Sequence, residues 1–88
     1  MNTTWRKSIT HQMTAWDEDW SDVEACTLSE EELDTVFDCG YGCIEGKPFT
    51  VWTKNRVYFP EGYDGAEQAT SVARHPDNEP TSHVGGGC

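Results

Sequence analysis

Two β-rich runs joined by a two-residue connection place the strongest constraint on the fold of this chain. The runs are residues 49–53 and 56–60, with Lys54-Asn55 between them. A connection of this length that contains Asn is typical of a tight β-hairpin. Successive side chains of a strand point to opposite faces, so Val51 and Trp52 belong to different faces. Because both faces carry apolar groups, we expect the hairpin to lie in the middle of the sheet.

A helix start is marked in the middle of the chain. Ser29 is a good N-cap, and Glu32, three residues later, completes a capping box. Leu28 before the cap and Leu33 in the first turn form a hydrophobic staple. The acids of the first turn suit the positive end of the helix dipole, and an i, i+3, i+4 apolar stripe follows. The pattern predicts a helix from about residue 30 to 37 or 38, with Gly40 as its terminator.

The other segments carry weaker signals. Residues 1–14 are polar, with Trp5 as the only large anchor, and we expect a loose arm there, with a short strand or an ordered arm as alternatives. Residues 60–65 are expected to form a turn, and residues 67–74 a third strand with Val72 inward. Residues 75–88 have the composition of a flexible tail. The sum is one small domain of the α+β class: a three- to four-stranded antiparallel sheet with one short helix.

Composition favours a folded protein that stays in the cytoplasm. An acidic chain of 88 residues with 11% aromatic residues is richer in large rings than disordered acidic chains usually are. No run approaches the ~20 apolar residues of a membrane span. Arg6 and Lys7 precede no hydrophobic segment, so no secretory signal is predicted. The four cysteines would then be mostly reduced.

The acidic residues are concentrated in one third of the chain. The formal net charge is -10. Residues 17–45 hold eleven acids and no Lys or Arg, and the remainder, with five acids and six bases, sums to +1. We refer to residues 17–45 as the acidic segment. Its acids are Asp17, Glu18, Asp19, Asp22, Glu24, Glu30, Glu31, Glu32, Asp34, Asp38 and Glu45.

This charge distribution favours binding over catalysis. A one-sided negative field repels nucleic acids and membranes and attracts basic protein surfaces. Proteins that bind DNA set rows of Lys and Arg against its phosphates, and carboxylates fixed on a folded surface can compete for those rows. An acidic surface that only confers solubility is the alternative. The absence of bases favours a binding role, and the nearby Trp16 and Trp20 are either core anchors or contacts to a partner.

Cysteine and histidine side chains suggest a second class of function. Only Cys39 and Cys43 are closely paired, and a structural zinc site needs four ligands with tight paired spacing. The further candidates are Cys26, His75, His83 and Cys88. Small buried cysteines or free thiols are the simpler interpretation. No acid and base pair marks an active site, so we expect neither an enzyme nor a bound cofactor.

The second half of the chain resembles short phage and prophage open reading frames. The resemblance is carried by residues 49–60, continued by Tyr63-Asp-Gly65 and by His83-Val-Gly-Gly86. Together with the small size and acidic charge, it is similar in type to the phage-encoded inhibitors of the anti-CRISPR and anti-restriction groups. In many of these the implied mechanism is steric, an acidic face filling the basic channel that would hold DNA. These groups share no fold, so the resemblance implies no individual site residue.

The leading hypothesis is therefore a phage-type inhibitor of a bacterial nucleic-acid-handling defence complex. Its acidic surface would mimic DNA and bind the basic DNA-binding surface of that complex in the cytoplasm of the host bacterium, without touching nucleic acid or membrane itself. The alternative is a small metal-binding or redox module built on Cys39 and Cys43. The predicted contact residues are Asp17, Glu18, Asp19, Asp22, Glu24, Glu30, Glu31, Asp34, Trp16 and Trp20.

Overall fold

The structure, a computed structural model, describes residues 2–38, 45–63, 66–81 and 83. It confirms the α+β class. A 3-10 turn (Trp20–Asp22) separates the first helix from the second strand. The helices and strands, in chain order, are β1 (Asn2–Thr3), α1 (Trp5–Ala15), β2 (Val23–Cys26), α2 (Glu30–Leu33), β3 (Phe37–Asp38), β4 (Val51–Thr53), β5 (Arg56–Tyr63) and β6 (Ala66–Ala73).

Within the described residues, the main sheet has four antiparallel strands in the order β2-β4-β5-β6. The predicted hairpin is confirmed: Val51 pairs with Tyr58 and Trp52 with Val57. Its two strands occupy the middle of the sheet, as their two-sided apolar character indicates. The fourth strand, β2, comes from the acidic segment, where no strand is predicted. A separate two-stranded ribbon pairs β1 with β3.

The third predicted strand exists, but the face that it buries is opposite to the predicted one. β6 begins and ends one residue earlier than predicted, and its buried side chains are Glu67, Ala69 and Ser71. Val72 is half-buried on the opposite face, so the prediction that it points inward is wrong. β5 continues to Tyr63, which replaces most of the turn predicted at 60–65. Residues 64 and 65 lie outside the described residues.

The expectation of a loose arm at residues 1–14 is wrong, because most of these residues form the main helix. Thr4 is the N-cap of α1, and its Oγ1 accepts a hydrogen bond from the Lys7 N–H at 3.2 Å. Trp5, Ile9 and Met13 recur at every fourth position and are at most 1% exposed. That spacing puts all three on one helix face, which packs into the core against β6. The short strand considered for this segment is also present, as β1.

Helix α2 starts where the capping box predicts and stops earlier than predicted. Both reciprocal bonds of the box are formed between Ser29 and Glu32. The helix ends at Leu33 rather than at residue 37 or 38. After the C-cap Asp34, Thr35 and Val36 are exposed and contribute no burial to a further turn. Phe37 pairs with Thr3 in the ribbon, which fixes it as a strand residue. Gly40 lies outside the described residues.

The core lies between α1 and one face of the main sheet. Trp5 is its largest member, and its ring lies 4.7 Å from the rings of both Phe37 and Phe49, measured between centroids. The indole N–H donates to the Lys47 carbonyl at 2.9 Å, so burial leaves no polar group of Trp5 unpaired. The other buried apolar residues are Ile9, Met13, Leu28, Leu33, Val51, Tyr58 and Ala69. Within the described ranges, no helix is long and apolar enough to cross a membrane.

Candidate protein-binding surface

The connection between α1 and β2 presents acids whose backbone is locally fixed. Asp17 is exposed and has a positive φ of 58°, a conformation that Asp tolerates better than most residues. Asp19 and Asp22 form a capping box around the 3-10 turn. Hydrogen bonds from the Ser21 hydroxyl and the Ser21 N–H hold the pKa of Asp19 below its ordinary value. These acids are thus placed on a well-defined turn at the surface.

Glu18 differs from its neighbours because its carboxylate faces the protein. It accepts hydrogen bonds from Thr53 Oγ1 at 2.8 and 2.9 Å and from the Tyr58 hydroxyl at 2.7 Å. Burial, and then the hydrogen bond to Glu18, raise the pKa of Tyr58 above its ordinary value. Both oxygens of Glu18 are therefore used to fasten the connection to the centre of the sheet.

Arg6 brings two parts of the acidic segment together. Its Nε donates to Asp34 Oδ1 at 2.7 Å, and its Nη2 binds Glu30. The guanidinium also lies over the ring of Trp20, 5.2 Å from the centroid. The two hydrogen bonds, that with Asp34 first, raise the pKa of Arg6. The contacts join α2 and the 3-10 turn to the first half of α1, where Trp20 Nε1 also donates to Thr10 Oγ1 at 2.8 Å.

Two further bases each neutralise one acid of the segment. Lys47 Nζ binds Glu32, and Arg74 binds Glu24. The bond from Lys47, followed by the hydrogen bond from the Ser29 N–H, lowers the pKa of Glu32 to about 2. These pairs are partly exposed, so each stabilises the fold only slightly. Their main consequence is to fix where the acids lie.

The loop before β4 is held by a buried acid from outside the segment. Glu67 is 7% exposed and accepts the N–H groups of Glu45 at 2.7 Å and Gly46 at 2.9 Å. A Cβ on Gly46 would come within 2.6 Å of both Glu67 Oε1 and Trp5 Cζ2, so this position requires glycine. The loop in turn places Lys47 beside Glu32.

The acidic segment stays strongly negative after this pairing. Among the described residues, Arg6, Lys47 and Arg74 form ion pairs with four of these acids, Glu24, Glu30, Glu32 and Asp34. Asp17 and Glu31 are exposed and form no ion pair with another described residue. The exposed acids of the segment are Asp17, Asp19, Glu24, Glu30, Glu31, Asp34 and Glu45.

Five of the ten predicted contact residues are placed at one or the other end of α1. Trp20, Glu30 and Asp34 gather around Arg6 in the first helical turn. Asp17 and Trp16 lie past the other end, about 15 Å further along the helix axis at 1.5 Å per residue. Trp16 is 51% exposed and is not a core anchor. Its ring lies over the Arg56 guanidinium, 3.5 Å from the centroid.

The metal or redox alternative depends largely on residues that are not described. Cys39, Cys43 and Cys88 lie outside the described ranges. Cys26 is half-buried, and its thiol donates to the Leu28 carbonyl at 3.4 Å. His75 and His83 are exposed. Within residues 2–38, 45–63, 66–81 and 83, no group of three potential metal ligands occurs. This alternative stays a prediction.

Arg6 and Arg56 are the site residues that sequence reasoning missed. Both look like scattered bases in the sequence, and each gains its role from a helix that was not predicted. The available signal was the four-residue spacing of Trp5, Ile9 and Met13, which predicts a helix and places Arg6 beside its buried face. Comparison of the chain with protein-family models, with curated proteins and with solved structures finds no match.

Proposed function

We propose that this protein is a phage-type inhibitor that binds the basic DNA-binding surface of a bacterial defence complex, of the CRISPR or restriction type, and keeps DNA out. The observation that carries the proposal is that seven acids of the acidic segment are exposed, in a stretch of sequence that contains no Lys or Arg. It would act in the cytoplasm of the host bacterium.

The hydrogen bonds and ion pairs that the acidic segment forms within the protein support recognition of a partner rather than mere solubility. A surface that only confers solubility needs charges but no fixed positions for them. Here Arg6 orients Glu30 and Asp34, and the 3-10 turn orients Asp19 and Asp22. Carboxylates held in place lose less side-chain entropy when they meet a partner. Complementary charge also speeds association and suppresses wrong partners.

The structure narrows the set of contact residues. Glu18 is left out because both its carboxylate oxygens bind hydroxyl groups of the sheet. Trp20 supplies an aromatic group inside the charged area, held by Thr10 and Arg6. The proposed contact residues, which extend from the Arg6 end of α1 to its far end and which we call together the acidic face, are Asp17, Asp19, Asp22, Glu24, Glu30, Glu31, Asp34 and Trp20.

The first test is capture of the target and displacement of DNA from it. Immobilised protein is incubated with bacterial lysate at low salt, and bound complexes are identified and then assayed for DNA binding by gel shift. We expect a nucleic-acid-handling complex whose DNA binding falls as inhibitor is added. Capture should be lost near 1 M salt, where the screening length is roughly 3 Å.

Charge variants show whether the acidic face is responsible. Asp17→Asn, Asp19→Asn, Glu31→Gln and Asp34→Asn combined should keep the fold, because Asn retains an oxygen for the bonds at Asp19 and Asp34. We expect affinity for the captured complex to fall about tenfold or more, which is 1.4 kcal/mol or more. The matched control, Glu30→Asp with Glu31→Asp, keeps both charges and should bind normally. Unchanged affinity in the neutralised variant would remove the proposal.

A further inference from the structure

The connection between α1 and β2 is attached at both of its ends to one buried residue of β4, Thr53. Before the 3-10 turn, the Glu18 carboxylate accepts hydrogen bonds from Thr53 Oγ1 at 2.8 and 2.9 Å. After the turn, Val23 pairs with Thr53 in the ladder between β2 and β4. The residues between these two contacts include two acids of the acidic face, Asp19 and Asp22. The 3-10 turn is therefore a short loop whose two ends meet at the same place in the sheet.

The backbone of Glu18 is fixed as well as its side chain. The Glu18 N–H donates to the Met13 carbonyl at 2.8 Å, and the Asp17 N–H donates to the Thr14 carbonyl at 3.2 Å. With Asp17 in the left-handed region, these are the two bonds of a Schellman helix end. The side chain also accepts from the buried hydroxyl of Tyr58 at 2.7 Å. Glu18 thus joins the end of α1 to the centre of the sheet.

The chemistry of this contact favours a fixed geometry over stability. Glu18 is half-buried and forms no ion pair with another described residue, so its charge faces the neutral hydroxyls of Thr53 and Tyr58. Partial burial of a charge without a cation costs free energy, which a neutral side chain would avoid. A carboxylate, however, accepts shorter and stronger hydrogen bonds than a neutral oxygen does. We refer to Glu18, Thr53 and Tyr58 as the Glu18 cluster.

We propose that Glu18 is a positioning residue for partner binding: through the Glu18 cluster it fixes the arrangement of the acids in residues 17–22, without contacting the partner itself. The inference rests on the proposed function, because it supposes the same basic partner. Acids that are ordered before binding lose less conformational entropy in the complex. The association rate depends mainly on net charge, which the cluster does not alter, so its effect falls on the dissociation rate.

The first test measures ¹⁵N relaxation of the free protein and needs no partner. Tyr58→Phe removes one hydroxyl of the Glu18 cluster while it keeps the ring and the net charge, and Tyr58→Phe with Thr53→Val removes both hydroxyls. We expect the order parameters of residues 17–22 to fall below about 0.85, the value of a rigid backbone, and to fall further in the double variant. The amides of α2 serve as the internal reference for an intact fold. Unchanged order parameters at residues 17–22 in the double variant would overturn the inference.

The second test measures association and dissociation rates with the complex captured from lysate. Tyr58→Phe should leave the association rate unchanged and speed dissociation about threefold to tenfold, the effect of ordering one or more side chains on binding. Thr53→Ser keeps the hydroxyl and should dissociate like the wild-type protein.

The matched control is Ser8→Ala, which removes a hydroxyl that accepts the Ala69 N–H at 2.8 Å and belongs to the first half of α1. It should not change the dissociation rate. Equal dissociation from Tyr58→Phe and the wild-type protein, or equally fast dissociation from Ser8→Ala, would overturn the inference and leave the proposed function standing. If residues 17–22 gain mobility as expected but no DNA-binding complex is captured, the proposed function alone is removed.

Discussion

Helix α1 carries few of the sequence signals that mark a helix, whereas helix α2 carries nearly all of them and is the shorter by far. α1 has 11 residues, no acid in its first turn and no base in its last. α2 has 4 residues with a full capping box and three acids in its first turn. Three residues of α1 are buried, against Leu33 alone in α2.

The difference separates what starts a helix from what extends it. Capping groups and first-turn charges act within one turn, so they fix a starting residue and little else. Extension needs burial, because short helices are marginal in water and gain most of their stability from packing. α1 obtains that burial from Trp5, Ile9 and Met13, while α2 meets exposed Thr35 and Val36 after one turn.

Trp5→Ala should give the largest effect, because it removes the main anchor of α1. Truncation of a buried Trp typically costs about 3–5 kcal/mol, and here it also leaves the Lys47 carbonyl without its donor. Urea denaturation followed by circular dichroism measures the loss. The matched control is Trp16→Ala at the exposed end of the helix, where we expect about 1 kcal/mol or less from the lost contact with Arg56. Equal costs for the two variants would contradict the burial argument.

The same distinction explains how much of the fold could be predicted from the sequence. The hairpin was predictable because residues 49–53 and 56–60 are rich in β-branched and aromatic residues and are joined by a two-residue connection. β2 was not, because Val23-Glu-Ala-Cys26 has no clear alternation and becomes a strand by pairing with β4. The inward face of β6 was misassigned because Ala69 and Ser71 are small, and only the packing of α1 makes their side inward.

The candidate surface was predictable in composition and not in arrangement. The acids of residues 17–45 are visible in the sequence. That Glu18 binds Thr53 and Tyr58 depends on contacts 35 and 40 residues away, which no local pattern encodes. The role of Arg6 likewise depends on a separation of 28 residues from Asp34. Local patterns identified the charges, while tertiary contacts decide which of them stay exposed.

Ser29→Ala should have a smaller and more local effect, since α2 depends on its cap. Loss of an N-cap side chain costs about 1 kcal/mol. We expect faster hydrogen exchange at the amides of Leu33 and Asp34, which donate to the carbonyls of the first turn. The amides of α1 should exchange faster only as far as the whole protein is destabilised, because that helix is stabilised by burial. If α1 and α2 lost protection equally, the two helices would be one cooperative unit and the comparison would fail.

Acid should produce the smallest effect and isolate the charged part of the α2 cap. The Lys47 and Ser29 bonds lower the pKa of Glu32 from 4.5 to about 2. A carboxylate whose pKa is lower in the folded state stabilises the fold above its unfolded pKa, and this contribution is lost as the pH falls from about 4.5 towards 2. Asp19 shifts in the same direction, so the total acid response contains both groups. The contribution of Glu32 is the difference in melting temperature between the wild-type protein and Glu32→Gln, measured across this pH range. The variant should melt at a lower temperature at neutral pH. This difference should disappear in acid. A difference in melting temperature that stays constant down to pH 2 would show that the Glu32 side chain acts through its shape and not through its charge. Capping of α2 would then be independent of Lys47.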